Sequence, residues 1–176
     1  MLITEDYRAQ NVMLHQSKVY GVSARIWANR VKDLCETLRT HDVLDYGCGK
    51  CMLQEGLGWE VANYDPAVPG LEERPEPHDV VACIDVLEHI EPECLDEVLD
   101  DLHRLIKRVG FFVIANRPAA KTLPDGRNAH LIQEGFAWWA PKLTARWDVR
   151  MMQSMGYEFV ILAVPYAEEA KAQVAA

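Results

Sequence analysis

Two apolar runs, DVVACID at residues 79–85 and FFVIAN at 111–116, place the tightest limit on what this chain can fold into. Each is nearly continuous rather than alternating, the pattern of a strand buried on both faces. A sheet covered twice needs helices on both sides, and the stretch between the runs supplies one. Pro92 suits a first helical turn, and Glu93, Asp96 and Glu97 load its positive end. Leu95, Val98, Leu99, Leu102, Leu105 and Ile106 recur at helical spacing, while Arg104, Lys107 and Arg108 occupy the negative end. Gly110 is expected to stop the helix.

The remaining segments extend the alternation. HDVLD (41–45) and WEVANYD (59–65) predict short strands, with KCMLQEGL (50–57) as a helix stopped by Gly58. Upstream, Thr4 caps a helix running to about Ser17. Gly21 breaks the chain, and Ser23 caps a second helix whose stripe is Trp27, Val31, Leu34, Cys35 and Leu38. A Trp-rich helix is expected near 134–145, followed by a hairpin turning near Ser154–Gly156. The expectation is therefore one α/β domain over residues 1–176: N-terminal helices at 1–39, an α/β core at 40–165 and a flexible Ala-rich tail at 166–176. Its sheet is mostly parallel, has helices on both faces and closes with a C-terminal antiparallel hairpin.

The net charge of −9 is unevenly distributed. Residues 51–101 carry 15 acidic and 1 basic side chains, whereas 102–176 carry 10 basic and 6 acidic. That balance argues against a duplex nucleic-acid partner, which needs many cations facing phosphates. No apolar run is long enough to cross a membrane, MLITEDYR shows no secretory leader, and the five cysteines are unevenly spaced. The expected setting is a reducing cytoplasm.

DVLDYGCGKC, residues 42–51, is a strand running into a glycine turn that brings main-chain N–H groups close to a ligand. A phosphate loop would need Ser or Thr after Lys50, and Cys51 stands there. A dinucleotide loop would have a third glycine where Met52 lies, and Asp45 would repel a pyrophosphate. A ligand with an ammonium group fits better. Asp45 can accept from it, and the helix opening near Lys50 offers N–H groups to a carboxylate. Asp65, at the next strand end, can accept two ribose hydroxyls. An amino acid joined to a nucleoside describes S-adenosylmethionine.

LDYGCGK, YDP and DVLEHIEP, at these spacings, resemble the class I S-adenosylmethionine-dependent methyltransferases, especially the branch that includes ubiquinone-pathway O-methyltransferases. The resemblance covers roughly residues 24–165 and implies a Rossmann-like fold. It implies that Asp45, Gly47, Cys48 and Gly49 line the methionine part of the cofactor, that Asp65 with Pro66 holds the ribose, and that Asp85 lies beside methyl transfer. Two departures stand out. Cys51 replaces the usual third glycine, and the interval from Asp65 to Asp79 is too short for the helix and third strand found there in the family. A shortened third-strand region is expected, with adenine held by the Pro-rich loop and by Cys83–Ile84.

For an oxygen acceptor a proton must leave, and His89 and His130 are the candidate bases, with Asp85 as orienter or alternative base. Asp85, Glu88, His89 and His130 could also hold a divalent metal, as similar letters do in methyltransferases of small-RNA 3′ ends. Asp85 and His89 would share a helix face at i, i+4, but the sequence favours, over the metal, a first helical turn in which Glu88 and His89 make supporting hydrogen bonds. Cys48 and Cys51 form a Cys-x-x-Cys without a second pair, so a redox or zinc role is disfavoured. Arg117, Lys121 and Arg127 either recognise an anionic small-molecule acceptor or belong to a solvated loop. Trp138, Trp139 and Trp147 either stack on substrate or pack, and Tyr20 with Gly21 is a candidate lid. The Asn/Asp-Pro-Pro-aromatic run of amino-directed base methyltransferases and the Pro-Cys of carbon-5 cytosine enzymes are both missing. The expected activity is methyl transfer to oxygen or nitrogen of a small polar or nucleotide-like acceptor. The alternatives are metal-assisted methylation of a nucleotide or RNA terminus, a non-catalytic binding module and, more remotely, an NAD-dependent reductase.

Overall fold

The computed structural model describes residues 1–16 and 23–167. The proposed lid at Tyr20 and Gly21, the end of the first helix at Ser17 and the tail from residue 168 lie outside the described residues. The helices are α1 (Glu5–His15), α2 (Ala24–Leu38), α3 (Met52–Leu57), α4 (Leu95–Leu105) and α5 (Phe136–Thr144). The strands are β1 (Val43–Tyr46), β2 (Ala62–Tyr64), β3 (His78–Ile84), β4 (Ile106–Ala115), β5 (Asp148–Ser154) and β6 (Glu158–Val164).

One six-stranded sheet has the order β2-β1-β3-β4-β6-β5. Strands β2, β1, β3 and β4 are mutually parallel, and β6 pairs antiparallel with β4 and with β5. The alternation of side chains assigns neighbouring strand residues to opposite layers. Leu44, Val81 and Phe112 join α4, Trp139 and Trp147 in one core, while Val43, Val80 and Phe111 join Trp27, Val31, Leu53 and Leu57 in the other. Strand order reverses between β1 and β3, so the crevice beyond their C-terminal ends is where such a sheet binds ligands.

Three local expectations need correction. Gly110 does not end α4; the chain passes from Leu105 directly into β4, and Gly110 lies inside that strand. A Cβ there would come within 2.7 Å of Ile106 and Phe112 side-chain atoms, so the glycine serves close packing. Asp85 does not start a helical turn with His89. Its φ is +59°, and a 3₁₀ turn, Leu87–His89, follows. Ser23 makes no side-chain cap on α2; its hydroxyl donates to Asp85 Oδ2 at 2.7 Å. The interval after β2 contains no helix or strand, which leaves the three-residue β2 as the sheet edge.

Candidate active site

The strand tips surround a cavity of about 360 Å³. Gly47, Cys48 and Gly49 come from the β1 turn, Asp65, Pro66 and Ala67 from the end of β2, and Ile84, Asp85 and Val86 from the end of β3. The β1 turn is tied to β2: Gly47 and Cys48 N–H donate to the Tyr64 carbonyl at 2.7 and 3.1 Å, and Gly49 N–H donates to Asp65 Oδ2 at 3.0 Å. Gly47 and Gly49 have φ of +76° and +52°. Cys51, in place of the third glycine, also adopts the left-handed region at φ +55°, an uncommon state for a residue with a Cβ.

Asp65 is buried but still lines the cavity. Its Oδ1 accepts from Ala67 N–H at 2.9 Å, and His15 Nε2 stands 3.8 Å from Oδ2. Each oxygen has two lone pairs, so these bonds leave acceptor capacity for ligand hydroxyls. Asp45 is placed differently from expectation. It is 1% exposed and does not line the cavity, although its Oδ2 has no hydrogen-bond partner among the described residues. Burial first, and the nearby Asp65 charge second, push its carboxyl up to about 7. Cys83 is likewise fully buried and off the cavity wall, leaving Ile84, itself buried, as the member of that pair that lines it.

At the other end, Asp85, His89 and His130 converge, with one potential ligand atom from each within 4.8 Å of the others. Backbone carbonyls orient both rings: His89 Nδ1 lies 2.7 Å from the Ala129 carbonyl and His130 Nδ1 lies 2.6 Å from the Arg117 carbonyl. A carbonyl only accepts, so each Nδ1 carries the proton and Nε2 is the basic position. Burial drives the His89 imidazole down to about 4, the Asp85 charge opposing it. For Asp85 burial acts upward, but the Ser23 hydroxyl and the adjacent histidines outweigh it and hold the carboxyl below its usual value. Glu88 is fully buried below this group. Its Oε1 accepts from Ala115 N–H at 2.7 Å, and its carbonyl accepts from Ile132 N–H at 2.9 Å. It thereby fastens the β3 turn to β4 and to the loop bearing His130.

Two imidazoles with oriented Nδ1–H groups and one carboxylate are a suitable donor set for a divalent ion. Ligand atoms around a small ion stand roughly 3 Å apart, so these side chains would draw together on binding. Cys48 and Cys51 Sγ atoms are 3.8 Å apart, and no third metal-ligating side chain joins them among the described residues.

The sequence reading missed the wall supplied by α1. Tyr7, Asn11 and His15 line the cavity, and their spacing of four along one helix face was a signal available in the sequence. Thr4 docks this helix: its N–H and hydroxyl donate to the Glu91 carboxylate at 2.9 and 2.7 Å, and the Tyr7 hydroxyl donates to the His89 carbonyl. Of the three candidate cations, Arg117 and Lys121 line the cavity, whereas Arg127 pairs with Asp125 at 2.8 Å. Trp139 and Trp147 are buried in the core, and Trp138 does not reach the cavity.

The chain matches no protein-family model and no curated protein. Solved structures do match. Magnesium protoporphyrin IX methyltransferase from Synechocystis PCC 6803, with S-adenosylhomocysteine bound, superposes with a TM-score of 0.62 at 18% identity, over 91% of this chain and 96% of that one. The 1,6-didemethyltoxoflavin-N1-methyltransferase of Burkholderia thailandensis, bound to its namesake compound and S-adenosylhomocysteine, gives 0.60 at 17% identity, over 90% and 86%. The methyltransferase domain of a bacterial CtHen1 gives 0.57 at 14%, over 78% and 96%. Superposition over nine-tenths of the chain at such low identity establishes the architecture: this chain has the fold of the class I S-adenosylmethionine-dependent methyltransferases.

Proposed function

We propose that the protein is an S-adenosylmethionine-dependent methyltransferase acting on oxygen or nitrogen of a small polar acceptor. One observation carries the reading. The glycine turn hydrogen-bonded to Asp65 and the Asp85–His89–His130 group open into the same cavity, one suited to a nucleoside donor and the other to a nucleophile. Asp65 would hold the ribose. Pro66, Ala67 and Ile84 would clamp the adenine without a polar side chain from a third strand. Asp45, with an unpartnered oxygen and no cavity exposure, would act on the ammonium group from beneath the turn. His89 or His130 would accept the acceptor's proton at Nε2, with Asp85 holding the charge that develops, and the cavity would align donor and acceptor. The fold neighbours crystallised with S-adenosylhomocysteine or with an acceptor support the same assignment.

Calorimetric titration with S-adenosylhomocysteine tests the reading, and no binding at millimolar ligand would overturn it. Asp65→Ala should abolish binding. His130→Ala should keep it while lowering transfer about 10²-fold or more.

The donor set at Asp85, His89 and His130 favours a second, metal-assisted reading for the same chemistry. A divalent ion held there would supply Lewis-acid polarisation of an acceptor oxygen. Metal analysis of the purified protein and a thermal shift on adding manganese, lost in His130→Ala, would support it. Transfer unchanged by chelator would exclude it.

A further inference from the structure

The cavity has a basic wall in an acidic protein. The chain carries −9 overall, yet the loop after β4, residues 116–121, reads NRPAAK, with two cations and no acid, and Arg117 and Lys121 both line the cavity. Arg117 has no ion pair among the described residues, although Glu158 lies within electrostatic reach. A guanidinium with no ion pair on a concave surface is a recognition device rather than a stability device, because ion pairs at the surface contribute little to folding.

The loop is also held rigid. Asn128 brackets Ala119, accepting from its N–H and donating to its carbonyl, both at 2.9 Å, and accepts from His130 N–H at 2.9 Å. Ala129 N–H donates to the Lys121 carbonyl at 3.0 Å. Across this bracket the Arg117 carbonyl receives His130 Nδ1–H at 2.6 Å. The residue that presents the guanidinium therefore also sets the direction of the imidazole. Beside it the wall is apolar, built of Ile3, Ala119, Ala120 and Ile90.

Resting on the methyltransferase reading above, we propose that the acceptor is a small organic oxyanion: an apolar body bearing a carboxylate or phosphate that Arg117 and Lys121 anchor, so that its nucleophilic atom is delivered to His130. Arg117 offers paired N–H donors that match either group, and Lys121 adds a point charge. The hydrogen bond from His130 to the Arg117 carbonyl fixes the distance between anchor and base.

The test uses the full chain saturated with S-adenosylhomocysteine, in chelator so that no ion can supply the anion site. Benzoate, phenyl phosphate and the neutral benzamide are titrated while the amide resonances of Ala119, Ala120 and His130 are followed by NMR. The expected result is saturable binding of at least one anion, about tenfold or more tighter than benzamide, with the stronger of the two identifying the oxyanion. The double variant R117Q/K121Q should lose that preference and keep its affinity for S-adenosylhomocysteine. Benzamide binding as well as the anions, no anion binding at 50 mM, or anion binding that survives in R117Q/K121Q would each overturn the proposal. A wild-type protein that binds the anions but not S-adenosylhomocysteine would instead sink the methyltransferase reading and leave the oxyanion site standing.

Discussion

Gly47→Ala isolates what the β1 turn demands of its sequence. Gly47 has φ +76°, where an alanine costs about 1–2 kcal/mol. A Cβ built there would also stand 2.5 Å from Val86 Cγ2, 2.8 Å from Cγ1 and 3.3 Å from Cβ. Valine is stiff about its first side-chain torsion, and both its methyls face the intruder, so rotation relieves little. Overpacking of this kind costs roughly 1–3 kcal/mol. The sum predicts a loss of about 3 kcal/mol for Gly47→Ala. Gly58 provides the control, because its φ is +83° and nothing lies within 4 Å of its would-be Cβ. Gly58→Ala should show the conformational part alone, about 1–2 kcal/mol. Urea denaturation of both variants, and of Gly47→Ala in a Val86→Ala background, completes the measurement. The second substitution makes room, so the two changes should couple favourably by about 1–2 kcal/mol. If Gly47→Ala costs no more than Gly58→Ala, or the cycle is additive within about 0.5 kcal/mol, the clash argument fails. Affinity for S-adenosylhomocysteine should fall in Gly47→Ala, because the turn lines the cavity, and stay unchanged in Gly58→Ala.

Asp45 should make stability depend on pH. Its folded-state value is about 7 against 3.8 as reference, so between those limits the folded chain binds more protons than the unfolded one, and stability falls as pH rises through about 7. Asp45→Asn removes the effect and should gain ~2–3 kcal/mol on wild type between pH 5 and pH 8, read from urea melts; a difference flat in pH would refute it. Glu88→Gln preserves an acceptor for Ala115 N–H and should cost under about 1 kcal/mol, whereas Glu88→Ala orphans that buried donor and opens a cavity, at about 3 kcal/mol by the same melts. Thr4→Ala removes the α1 cap on Tyr7 N–H and a bond to Glu91, for about 1–2 kcal/mol, and hydrogen exchange should show α1 opening faster while the β3 and β4 amides are unaffected.

Strand cores and the polar residues at the strand ends were legible because both are local. Continuous apolar runs specify buried strands, and a chain that must alternate strand and helix leaves its polar tips at one sheet edge. Sequence periodicity carries no sign of φ, so it could not show that Asp85 turns left-handed ahead of a 3₁₀ turn. It also read IKRVG as the end of a helix. There the charges of Lys107 and Arg108 are exposed on a strand, and Gly110 answers a packing need from Ile106 and Phe112 that only the folded sheet creates. The spacing of Tyr7, Asn11 and His15 marks one face of α1, but where that face docks depends on contacts such as Thr4 with Glu91, separated by 87 residues, which no local pattern encodes. Asp45 was read correctly as a strand-end acid, but its distance from the cavity surface is a matter of packing depth.

The truncated edge shows how the site holds together without a third strand. Strand β2 spans three residues, so few N–H and C=O groups are left unpaired along its outer side, and such a short edge invites little pairing with other chains. The chain then curls back. Asp65 N–H donates to the Leu71 carbonyl at 2.9 Å, Val68 N–H to the Asp65 carbonyl at 3.2 Å and Leu71 N–H to the Val68 carbonyl at 3.0 Å. These bonds fix the backbone at Asp65 with local turns, work that a neighbouring strand would otherwise share. His15, on α1, closes the remaining side of the carboxylate, and α1 itself is anchored to the segment after β3 through Thr4 and Glu91. The two ends of the cavity are thus joined by one helix, so loosening its N-terminus should disturb the environment of Asp65 as well as the wall beside His89.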